Sequence, residues 1–181
     1  MSNNSAGSPE ATLDVLGTEW VATEDVIIDI RGGRRSKKRR IPVHFLDWTI
    51  NGVALRSHLR MPDGSVVDER TEMVRGTEGR AHPVESLRAL LDGYQPNDKA
   101  WVRFADGRTA ILYCSQRGDL DCATISARIE FEHTKVRWSS VAYQTGLSEK
   151  PDFEGFEPVT FTFARKAYES TIHEQLRRWG G

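Results

Sequence analysis

Apolar and polar residues alternate along most of this chain, the period-two signature of half-buried strands rather than the 3.6-residue period of helices. Residues 26–30, VIIDI, read as a short buried strand stopped by Gly32-Gly33. Asn51-Gly52 is a strong hairpin signal, and pairing outward from it sets Ile50 opposite Val53, Trp48 opposite Leu55 and Asp47 opposite Arg56. That register puts Leu46, Trp48, Ile50, Val53 and Leu55 on one face and the Asp47–Arg56 charge pair on the other. Asp106-Gly107 predicts a hairpin between 101–105 and 108–114, and His133-Thr134 one between 122–132 and 135–144. In the latter, Ile125, Ala127, Ile129 and Phe131 face Val136, Trp138 and Ala142, while Glu130 meets Arg137 and Glu132 meets Lys135. Val159, Phe161 and Phe163 alternate as a last strand.

Helical spacing occurs in two places. Val84, Leu87, Leu90 and Leu91 predict a helix over about 84–92, stopped by Gly93, and Tyr168, Ile172, Leu176 and Trp179 mark one face of a helix over 165–179. Hairpins dominate and no internal repeat occurs. The expected fold class is therefore α+β, a twisted, mostly antiparallel sheet built from hairpins with two helices. With 181 residues the chain fits one domain, expected over 19–181, behind a flexible N-terminal tail at 1–18 that opens on Ser, Asn, Gly and Pro.

Charge changes the picture locally. The formal net charge is only −1, which excludes nucleic-acid binding by bulk charge. Residues 1–30 nevertheless hold six acids and no Lys or Arg, whereas 31–40, RGGRRSKKRR, hold seven bases and no acid. Taking those seven positive charges away leaves −8 on the rest, an acidic body with one basic loop. Arg31, Arg34, Arg35, Lys37, Lys38, Arg39 and Arg40 are accordingly binding candidates for phosphate, nucleic acid or an acidic protein. A solvated loop partly neutralised by the preceding acids is the plainer expectation, because the segment lacks aromatics.

The stretch 112–126 holds Cys114, Arg117, Asp119, Asp121 and Cys122. Cys114, Cys122 and Asp119 are the metal-ligand candidates, but a Cys-x7-Cys spacing supplies neither the tight thiolate pair that zinc favours nor a Cys-x-x-Cys redox motif. His44, His58, His82, His133 and His173 are scattered without ligand spacing, and no nucleophile elbow or phosphate-cradling glycine motif occurs. No catalytic residue is assigned and no cofactor is expected. Of five tryptophans, Trp48 and Trp138 fall on core faces, while Trp20 and Trp101 are candidates for an exposed aromatic contact, with Arg117 as a further binding candidate.

Around Cys114 and Cys122 the chain resembles an uncharacterised, largely actinobacterial family with a Tyr-x-Cys-x-x-Cys-Gly-Asp-x-x-Cys-Gly-like motif, a Val-x-Trp strand and a Phe-x-Phe-x-x-x-x-Tyr ending. The shared residues are Cys114, Gly118, Asp119 and Cys122 with Tyr113 beside them, then Val136 and Trp138, then Phe161, Phe163 and Tyr168, so the likeness spans roughly residues 84–179. Arg117 stands where the middle cysteine would be and Ala123 replaces the following glycine, so a three-thiol site implied by the resemblance would be incomplete. The resemblance implies no reaction.

The polar first ten residues do not look like a secretory signal, and no apolar run approaches the roughly 20 residues that cross a bilayer. A cytoplasmic protein with two free thiols and no membrane association is expected. Together these features predict a non-catalytic binding protein acting through contacts with a protein partner, such as an immunity protein against a basic nuclease-like toxin. A thiol- or metal-dependent site at 114–122 and nucleic-acid contact through 31–40 are the alternatives. Oligomeric state is left open.

Overall fold

Asn51 and Gly52 adopt φ of 54° and 79°, the two positive values that a tight hairpin turn requires. Around that turn a computed structural model describes residues 12–29, 37–60, 64–65, 67–75, 82–95, 102–115, 118–122, 124–144 and 157–180. The elements are β1 (Leu16–Asp29), β2 (Lys37–Ile50), β3 (Val53–Ala54), a 3-10 turn (Leu55–His58), α1 (His82–Arg88), β4 (Thr109–Tyr113), β5 (Thr124–Phe131), β6 (Lys135–Gln144), β7 (Val159–Ala164) and α2 (Arg165–Arg178). They form two antiparallel sheets, β1-β2-β3 and β4-β5-β6-β7, and the α+β class holds.

Three expectations for the first sheet change in detail. The strand expected at 26–30 is the far end of β1, which begins at Leu16, inside the stretch assigned to the tail. Leu16 is buried in the core, and the Asp14 amide donates to the Thr162 carbonyl at 2.7 Å while its carboxylate accepts the Thr162 amide at 2.9 Å. Second, residues 37–40 of the basic segment are paired strand rather than loop. Third, Ile50 does pair Val53, but β3 lasts two residues, so Trp48 lies opposite Thr18 of β1 rather than Leu55. The reason is competition for one edge. Residues 73–75 occupy the outer edge of β2, with the Leu46 amide donating to the Met73 carbonyl and the Arg75 amide to the His44 carbonyl, each at 2.8 Å. The outgoing chain turns away, Leu55 still enters the core, and Val53 is left exposed.

The 67–75 segment stitches the sheets together. It bridges β2 at Phe45–Val74 and β4 at Arg70–Tyr113, while Asp14 bridges β7 at Phe163. One apolar core spans both sheets, uniting Leu46, Trp48 and Ile50 with Ile125, Trp138, Phe161 and Phe163. α2 lays Tyr168, Ile172 and Leu176 into it, as the helical spacing predicts. The Trp138 indole donates to the Tyr168 hydroxyl at 3.1 Å, and that hydroxyl donates to the Leu90 carbonyl at 2.8 Å, so the buried polar tips are paired. α1 is shorter than the 84–92 expected, continuing past Arg88 only as turns.

The β5–β6 hairpin keeps the predicted pairs Glu130–Arg137 and Ile129–Trp138, then bulges beyond Ser139. Ser140 there has φ of 53°. Buried Arg108 fills the bulge, donating to the Ser126 hydroxyl at 2.9 Å, to the Ser126 carbonyl at 2.8 Å and to the Ser140 carbonyl. No helix among the described residues is long and apolar enough to cross a membrane.

Candidate functional site

β1 and β2 pair over 14 residues each, from Leu16–Ile50 at the body to Asp29–Lys37 at the far end. Because Thr18 faces Trp48, even-numbered residues of both strands share one face and odd-numbered residues the other. Near the body both faces of β2 are covered, and residues 45–50 are all buried. Farther out Lys38, Arg39, Arg40, Pro42 and His44 are exposed. The pair is therefore a two-stranded ribbon whose root is packed and whose outer residues Lys38, Arg39 and Arg40 stand in solvent.

The odd face is clamped at the root. Arg70 donates to Asp25 at 2.6 Å, and its guanidinium lies 5.4 Å from the centre of the Phe45 ring. Arg56 covers the same ring at 5.1 Å and donates from Nε to Asp47 at 2.8 Å. Asp47 is fully buried, and burial outweighs Arg56 in setting its carboxyl above the ordinary carboxylate value. Glu69, in the same covering segment, is likewise raised by burial. Loss of water strengthens these pairs and also makes an unmatched member expensive.

The even face is covered at the body by the core around Leu46, Trp48 and Ile50 and opens outward from Trp20. Trp20 is 43% exposed, with the Arg75 guanidinium 4.1 Å from its ring centre and the Trp179 ring 6.5 Å away. Glu24 and Arg40 form an exposed pair at 3.4 Å, of the kind that adds little stability.

Of the candidate binding residues, the structure places Lys38, Arg39 and Arg40 together at the far end and Trp20 at the root. Lys37 is placed by its backbone pairing with Asp29. Arg31, Arg34, Arg35, Trp101 and Arg117 lie outside the described residues. Arg70 and Arg75 were missed by sequence reasoning, since an isolated arginine in a polar stretch carries no sign of what it will stack on.

The 114–122 stretch is built as a turn. Cys114 and Cys122 are half-buried and not joined in a disulfide. The Gly118 amide donates to the Cys114 carbonyl at 3.0 Å, and Asp119 Oδ1 accepts the Cys122 amide at 3.0 Å. Gly118 has φ of 67° and its Cα faces the Glu72 carboxylate, where a Cβ would sit 2.6 Å from Oε1. The Gly118-Asp119 pair thus has a backbone role, with Asp119 spent on the turn. Among the described residues there is no group of three or more His, Cys, Asp or Glu side chains arranged to hold a metal ion. His44, His133 and His173 are exposed, and His58 packs edge-on against Phe161 at 5.5 Å. No protein-family model, curated protein or solved structure matches this chain.

Proposed function

We propose that this chain is a non-catalytic binding protein whose contact element is the β1–β2 ribbon. The observation that carries this reading is the contrast along one hairpin: a clamped root at Arg70, Asp25 and Phe45, and an outer half that leaves Lys38, Arg39 and Arg40 in solvent. Cations held away from the core on a paired, and therefore stiff, element lose little entropy when they meet a partner. An acidic body that neutralises a cationic protein has less support. Several acids on the body already carry an arginine partner: Asp92 and half-buried Glu169 share Arg165, and Glu174 meets Arg178. Two cysteines outside any disulfide suit a reducing compartment such as the cytoplasm.

Asp25 and Ile41 are direct cross-strand partners, so a two-residue Asn-Gly turn can replace residues 26–40 without changing register. The shortened chain is expected to keep its melting temperature within a few degrees and to lose whatever the intact chain retains from its own cell extract. Equal retention by both chains would move the contact surface off the ribbon.

A further inference from the structure

We infer that the ribbon's ligand is double-stranded DNA, with the outer half of the ribbon seated in the major groove; this rests on the ribbon being the contact element. Residues 23–43 hold seven bases against three acids, whereas the remainder of the chain holds five more acids than bases. Such a polarised molecule presents its outer ribbon to a polyanion and keeps its body turned away. The same asymmetry favours contact through the ribbon alone over contact along a broad face.

Shape favours a groove. A two-stranded ribbon fits the major groove of B-form DNA, which is about 12 Å wide. Beyond the Asp25 clamp, four paired residues from Val26 to Asp29 extend about 13 Å at the usual strand rise, more than the groove's depth of about 8.5 Å. Lys38 and Arg40 stand on one face and Arg39 on the other. Phosphates line a groove on both sides of whatever enters it, so cations on both faces find partners there. The deep, narrow major groove of A-form RNA does not admit a ribbon in this way.

Single strands fit less well. They need aromatic platforms beside the cations. Trp20 faces Leu46, six residues along β2 from Arg40, a separation of about 20 Å, and its ring is already occupied by Arg75. No Asn or Gln occurs between residues 37 and 50 to read adenine, and the Lys and Arg side chains there meet mainly phosphate, the commonest partner of such cations on DNA. Weak dependence on sequence follows, with a dissociation constant of roughly 10⁻⁴ to 10⁻⁶ M near physiological salt.

The test is fluorescence anisotropy of the full chain with a labelled 20-base-pair duplex of mixed sequence, read between 50 and 200 mM salt. Binding that weakens with salt is expected. The K38E/R39E/R40E variant, all at exposed positions, should bind at least about tenfold more weakly at 50 mM and lower the log–log salt slope by about 3. The chain shortened at 26–40 should not bind. Wild-type affinity retained by either variant, tighter binding to a single strand of equal length, or no duplex binding at 50 mM overturns the inference. Polyglutamate, an acidic-protein probe, separates two kinds of failure. Ribbon-dependent binding to polyglutamate without duplex binding leaves the ribbon as contact element and removes DNA. Binding to neither, with the shortened chain retaining the same partner from extract, removes both.

Discussion

Arg70 Nη1 reaches Asp25 Oδ1 at 2.6 Å, tying the ribbon's first strand to the segment that joins the two sheets. The same guanidinium covers Phe45, so one side chain fixes charge and packing at the root. Replacing it by Met keeps apolar bulk but leaves Asp25 without this partner. Arg70→Met is expected to cost about 2 kcal/mol, measured as a drop in urea midpoint at unchanged m-value. Arg75→Ala, which removes only the stack on exposed Trp20, should cost no more than about 1 kcal/mol. Equal losses would show that the Arg70 contacts do not clamp the ribbon.

Asp47 and Arg56 predict a pH signature. Arg56→Ala leaves a fully buried carboxylate uncompensated, at a cost of about 3 kcal/mol at pH 7. The Asp47 carboxyl already stands above its ordinary 3.8, so the folded chain holds this proton more readily than the unfolded chain. Stability contributed by this group therefore falls as pH rises from the unfolded value through the raised folded one. Removing Arg56 raises the folded value further, so the variant's deficit should shrink as pH drops from 7 toward 5. Paired thermal melts across that range check it; a deficit independent of pH rules out Asp47 as its source.

Gly118→Ala tests the turn at 114–122. The added methyl meets Glu72 while the backbone stays at positive φ, a double penalty of about 2 kcal/mol. Gly107→Ala, at φ of 83° with open space around it, is the comparison that isolates the backbone share. If the two variants unfold at the same urea concentration, the Glu72 contact contributes nothing.

Ser140→Gly should stabilise the chain by about 0.5 kcal/mol, because relief of the left-handed backbone outweighs the extra chain entropy that glycine loses on folding. Arg108→Lys should do the opposite by 2 kcal/mol or so, since an ammonium cannot reproduce the fork that meets Ser126 and Ser140. A higher midpoint for the first variant and a lower one for the second are the expected readings.

The hairpins were legible wherever turn chemistry and alternation coincided. Asn51-Gly52 and His133-Thr134 set the nearest pairs correctly, and the Phe161, Phe163 and Tyr168 pattern placed β7 and α2. What escaped was long-range competition. Nothing local in Thr18 to Asp25 announces that these residues extend a strand from Leu16 to Asp29, because their apolar positions are few and their partner lies across a long sheet. The edge of β2 taken by Met73, Val74 and Arg75 is equally invisible, since bridges of one or two residues leave no periodicity. For the candidate site, the bases were plain in the sequence, but their mounting on a ribbon and the Arg70 clamp were not.

The pairing of Asp14 with Thr162 joins positions 148 apart in the chain. During synthesis β1 and β2 leave the ribosome long before β7 exists, so the ribbon can zip up locally while Leu16 waits for its apolar neighbours Phe161 and Phe163. Contacts of such wide sequence separation form slowly, because a long stretch of chain must be brought to a halt before they are rewarded. The strand translated first is thus among the last to be secured. Chains that terminate before Thr162 would leave that strand's root unsealed and its apolar residues open to self-association.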